Sequence, residues 1–155
     1  MNFYPQNFWI PLVVMFPNIL FALFPPIDKP VEPNRPSYWK IIIFFERIGQ
    51  AGIVVLPFFW KLRIVRFSDY YALIIMTVCT ILYYYCWVRY LKNGREFYML
   101  YEKFFVVVIP LALLPVIYYF AVSIALNSWV LMFFTIILGI GHIPESYMCY
   151  LENKK

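Results

Sequence analysis

The 155-residue chain is 64% hydrophobic, 23% aromatic and only 14% charged, with a mean hydropathy of +0.73. Soluble domains run nearer half apolar and a quarter charged, so this balance excludes an ordinary soluble domain and indicates an all-α, polytopic integral membrane protein. The formal charge of +5 comes from short loops beside apolar runs, which argues against nucleic acid and for loops lying against anionic lipid headgroups.

Met1 to Ile27 carries no charged side chain, so no secretory leader with a positive start is expected. Residues 6–24 read as the first of five spans, kinked at Pro11 and Pro17, with Asn18 its strongly polar interior group. Residues 25–38, PPIDKPVEPNRPSY, are too rich in proline to continue a helix and predict an extended, polyproline-like connector. The second span runs from Trp39 to Trp60, with a tryptophan at each headgroup level and Glu46, Arg47 and Gln50 inside it. A short basic loop, KLRIVRFSD, follows, and Ser68 or Asp69 is expected to cap the third span at residues 70–90.

Tyr83, Tyr84, Tyr85 and Tyr90, with Tyr98 and Tyr101 beyond them, read as an interfacial aromatic belt. Asn93-Gly94 stops the helix, and residues 95–103 form an amphipathic turn. There Arg89, Lys92, Arg95 and Lys103 are the expected contacts to lipid headgroups. The fourth span, 104–126, carries Pro110 and Pro115 as kink sites, and Asn127-Ser128 makes a tight hairpin with the fifth, 129–147. Pro144 has no N–H for the carbonyl of Ile140, so the last helix is expected to kink or end beside His142, the single histidine. No hydrophilic block is long enough for a second domain, so residues 1–155 read as one membrane-embedded unit.

Lys29, Arg35, Lys40, Arg89, Lys92, Arg95, Lys103, Lys154 and Lys155 fall on one side of such a bundle, against Lys61, Arg63 and Arg66 on the other. The positive-inside rule then places the N-terminus outside and the C-terminus in the cytoplasm of a plasma or inner membrane. At about 1.5 Å per residue, Glu46 and Arg47 lie roughly 10–12 Å in from Trp39, and His142 and Glu145 roughly 14–18 Å back from Lys154. Asn18 falls at a comparable depth, so Asn18, Glu46, Arg47, Gln50, His142 and Glu145 predict one polar layer toward the cytoplasmic side.

Ionisable groups at membrane depth face a bundle interior or a wet cavity. Three readings follow: an ion-pair network joining Arg47 to Glu145 or Glu46; a cavity binding or passing a ligand; and an enzyme acting on a lipid-like substrate, with Glu46, His142 or Glu145 as acid or base. A fourth role, as a non-catalytic stabilising subunit, follows from the first. The residues favour binding or transport over catalysis, since GxSxG, HExxH and a phosphate-binding glycine loop are all absent. No cofactor or metal is implied, because one histidine with two carboxylates lacks a second imidazole, and Cys79, Cys86 and Cys149 form no CxxC pair. A bundle this small suits a homo-oligomer or a place in a larger membrane complex.

Overall fold

Pro17 sits inside the first helix and has no N–H to offer the carbonyl of Val13. The hydroxyl of Tyr84 donates to that carbonyl instead, at 3.0 Å. The computed structural model that shows this describes residues 2–28, 35–104 and 107–152. The polyproline reading of residues 29–34 and the terminal Lys154 and Lys155 lie outside the described residues. Five α-helices are present among them: α1 (Trp9–Leu23), α2 (Trp39–Val55), α3 (Phe67–Lys92), α4 (Pro110–Ala125) and α5 (Trp129–Glu152). Short 3₁₀ turns precede α1 (Pro5–Phe8), follow α2 (Leu56–Phe59) and occupy the α3–α4 connection (Phe97–Leu100). Among the described residues there is no strand, only an isolated bridge between Phe104 and Val107.

Four of the helices, counting the flanking 3₁₀ turns of α1 and α2, are long and apolar enough to cross a bilayer; α4, with 16 residues, is shorter. The helix expected from residue 104 starts only at Pro110: Phe104 and Val107 exchange backbone hydrogen bonds, and Ile109 adopts a left-handed φ of 51°. Pro110 therefore begins the helix rather than kinking it, at a position where a missing N–H costs nothing. α3 begins three residues earlier than expected, at Phe67, with Arg66 at the N-cap. Asp69 lies in the first turn, where its carboxylate accepts from the backbone N–H of Arg66 at 2.9 Å and of Val65 at 3.1 Å. α5 passes through Pro144 and ends at Glu152 rather than near 147.

The tyrosines expected to form a belt are divided: Tyr85 and Tyr98 are exposed, whereas Tyr83 and Tyr90 turn inward. Tyr83 and Tyr90 are buried, and their hydroxyls reach Val14 O (3.5 Å) and Phe24 O (3.0 Å). With Tyr84 on Val13 O, and Tyr118 of α4 on Ile10 O at 3.1 Å, they tie α1 to the bundle through its backbone. Trp87 stacks edge-on with Phe21, Tyr83 and Tyr90, filling the space between α1 and α3.

α4 is the inner helix, with ten of its 16 residues buried between α3 and α5. α2 packs along α5, and the glycines explain how closely. A Cβ at Gly49 would stand 2.5 Å from the Leu138 backbone, and one at Gly141 would meet the backbone of Glu46. α1 thus leans on α3 while α2 is drawn against α5, and a cavity lies between them.

Candidate functional site

That cavity has a volume of about 700 Å³. α1, α4 and α5 contribute residues at helical spacing, whereas α2 also turns three consecutive residues, Ile53, Val54 and Val55, toward it. α1 presents Val14, Asn18 and Phe21; α2 presents Arg47, Gln50, Ala51 and Val54; α3 presents Tyr83 and Trp87. α4 adds Leu111, Pro115 and Tyr119, and α5 adds Leu138, His142 and Ser146. Leu100 and Tyr101 close it from the α3–α4 connection.

The polar groups form a chain along one wall. The Arg47 guanidinium donates to Gln50 Oε1 at 3.3 Å, and the Gln50 amide donates to Glu46 Oε1 at 3.0 Å. The same Glu46 oxygen lies 2.9 Å from His142 Nδ1. Glu46 sits on the α2–α5 seam behind the cavity wall, where Gly141 leaves its backbone room. With Nδ1 turned to a carboxylate, the imidazole keeps Nε2 for another partner. Asn18 lines the cavity from α1 and returns its side-chain amide to Val14 O at 3.4 Å.

The pairing of Arg47 with Glu145 or Glu46 is not formed. Ser146, four residues after His142, continues the cavity face, whereas Glu145 turns to the connector side. There it meets the Arg35 guanidinium and the Trp39 indole N–H. Arg35 stacks over Trp39 at 5.2 Å from the ring centroid, donates to Cys149 Sγ at 3.2 Å and reaches Glu152 at 3.4 Å. Among the described residues no carboxylate pairs with Arg47. The layer expected from depth is therefore divided. Asn18, Arg47, Gln50 and His142 line one cavity with Glu46 behind it, and Glu145 belongs to a separate clamp.

Spacing from His142 could have found Ser146. Arg35, Tyr101 and Tyr119 carry no such signal. Burial pushes the Tyr101 hydroxyl well above its ordinary pKa, and Cys149 and Glu145 beside it add to the shift, so it stays a donor at neutral pH. The Tyr119 hydroxyl is wholly buried with no hydrogen-bond partner among the described residues.

Of the four basic residues expected at headgroups, Arg89 is engaged internally. It donates to the carbonyls of Glu102 (3.2 Å) and Lys103 (3.4 Å), pairs with the Glu102 carboxylate at 3.4 Å and covers the Phe104 ring. Lys92 and Lys103 are exposed; Arg95, half-buried with φ 59°, accepts the Ile27 N–H at its carbonyl. Among the described residues no cluster of three or more His, Cys, Asp or Glu could hold a metal ion. Comparison with family models, with curated proteins and with solved structures found no match to this chain.

Proposed function

We propose that this chain is an integral membrane protein of five spans whose central cavity binds an amphipathic small molecule, for storage or for passage across the bilayer. The carrying observation is the cavity itself. Its volume of about 700 Å³ lies inside the range of about 300–1,000 Å³ for small-molecule sites, and Arg47, Gln50 and His142 share one wall of an otherwise largely apolar lining. The membrane reading is supported by the outward faces. Phe44 is 61% exposed, Ile81 62% and Phe133 59%, on three different helices. Large apolar side chains exposed in this number are best covered by lipid or a partner.

The test is direct. The protein is extracted in detergent, washed, and its bound small molecules are identified by mass spectrometry after denaturation. The wild type should release one molecule per chain, and Val54→Trp, which fills the cavity from α2, should release none while keeping its helical spectrum. A wild-type protein that carries nothing and takes up no amphiphile would sink the reading.

A second reading rests on the Glu46–His142 contact. An imidazole oriented by a carboxylate and facing a cavity is also the geometry of a general base. Turnover of a lipid-like substrate that disappears in His142→Gln, with binding retained, would establish it.

A further inference from the structure

We infer that the ligand is a single-chain amphiphile with an anionic head, which enters from the bilayer between α1 and α2; this rests on the ligand-binding reading above. The charge around the cavity points to an anion. No Asp or Glu is among the lining residues, whereas Arg47 and His142 are. The two carboxylates of the same layer are each engaged elsewhere: Glu46 by His142 and Gln50, and Glu145 by Arg35 and Trp39. Arg47 is left with a neutral amide oxygen at 3.3 Å. The Arg47 side chain is exposed and has no carboxylate partner among the described residues, and its fork of donors matches a carboxylate or a phosphate equally well.

The remainder of the lining sets the other end of the molecule. Val14, Phe21, Val54, Leu111 and Leu138 offer an apolar chamber, and its volume suits one chain with a small head rather than a two-chain lipid. The approach follows from the packing. α1 is held to α3 and α4 by tyrosine hydroxyls and α2 to α5 across glycines; α1 and α2 are joined at one end, where Asn7 reaches Pro57 O and Trp60 O, and Met15 on α1 and Val55 on α2 both line the cavity. Met15 is 40% exposed and Val55 51%, so each helix carries an apolar cavity-lining side chain that also faces outward, where acyl chains would lie.

Binding of radiolabelled palmitate, a palmitoyl lysophosphatidate and hexadecanol to the whole protein in zwitterionic nanodiscs tests the inference. Both anionic amphiphiles, or whichever of them fits the head region, should bind at least about tenfold more tightly than the alcohol, the scale of one hydrogen-bonded charge. Arg47→Gln should abolish that preference, bringing the affinity for the anions down to that for hexadecanol in the same variant, and Arg47→Lys should keep much of it. Hexadecanol binding as tightly as both anions, or a preference that survives Arg47→Gln, overturns the anionic head but leaves the ligand-binding reading standing. Failure of all three to bind overturns both. The wild-type comparison needs no variant, so it decides the matter even where Arg47→Gln does not fold.

Discussion

Asn7 is the clearest case of a residue whose role depends on partners far away in the chain. It is 1% exposed, and its side-chain amide donates to Pro57 O and Trp60 O, both at 2.8 Å. Those carbonyls lie past the end of α2, where helix carbonyls run out of internal donors. Asn7→Ala should therefore destabilise the protein by about 1–3 kcal/mol, read as a shift in the chemical unfolding midpoint in detergent. Asn7→Asp should be at least as harmful, because two carbonyls need donors and a carboxylate has none. Tyr119 gives the opposite expectation. Its buried hydroxyl has no partner among the described residues, so Tyr119→Phe should leave the unfolding midpoint unchanged or raise it. Asn18, Arg47, Gln50 and His142 were legible because each is a polar group at a common depth in an apolar run, whereas the spacing that ties Ser146 to His142 went unread and Arg47 was expected to face away from Gln50. Asn7 and Arg35 were not legible, because their partners stand on other elements and no local pattern links them.

At the scale of elements, proline and glycine decide most of what differs from expectation. Proline in an apolar run can begin a helix, as Pro110 does, or be passed through, as Pro17, Pro115 and Pro144 are. Residue type alone does not distinguish these; what frees or satisfies the carbonyl four residues earlier does. At Pro17 that partner is Tyr84, which makes a coupling measurable. Tyr84→Phe should cost about 1 kcal/mol in the wild type and clearly less in a Pro17→Ala background, where the new N–H serves Val13. Equal costs in both backgrounds would show that Tyr84 is not compensating for the proline. The α2–α5 seam offers a second contrast, measured in the same unfolding experiment. A methyl at Gly141 would meet the Glu46 backbone, so Gly141→Ala should cost about 1–3 kcal/mol or more by overpacking. Gly139→Ala meets only side-chain atoms, Val116 at 3.4 Å and Ile143 at 3.8 Å, and should be neutral or stabilising by up to about 1 kcal/mol through helix propensity.

For the whole molecule the question is how many times the chain crosses. Five apolar runs were legible in the sequence, and five helices are present, but α4 is about 24 Å long at 1.5 Å per residue against a hydrocarbon core of about 30 Å. Packing is what supports its proposed crossing. Arg66, in the loop before α3, donates to Ile124 O and to the Asn127 side chain at the end of α4, both at 2.9 Å. Arg89, near the end of α3, meets Glu102 in the connection that leads into α4. α4 therefore returns along α3 from one end of the bundle to the other, and its burial within the bundle relieves it of matching the bilayer by itself. The five-span arrangement proposed above, with the N-terminus outside, would place the Asn127 turn outside and the C-terminus in the cytoplasm. Alkaline phosphatase fused after Asn127 should be active and the same enzyme after Glu152 inactive, with green fluorescent protein at that second site fluorescent. If α4 stopped short, both results would reverse, because the Asn127 turn would stay in the cytoplasm and α5 would carry the C-terminus out. An N-terminus on the cytoplasmic side with five crossings would give the same reversal, so an N-terminal epitope probed on intact cells separates the two. External labelling of that epitope, with the fusion pattern expected here, fixes five crossings.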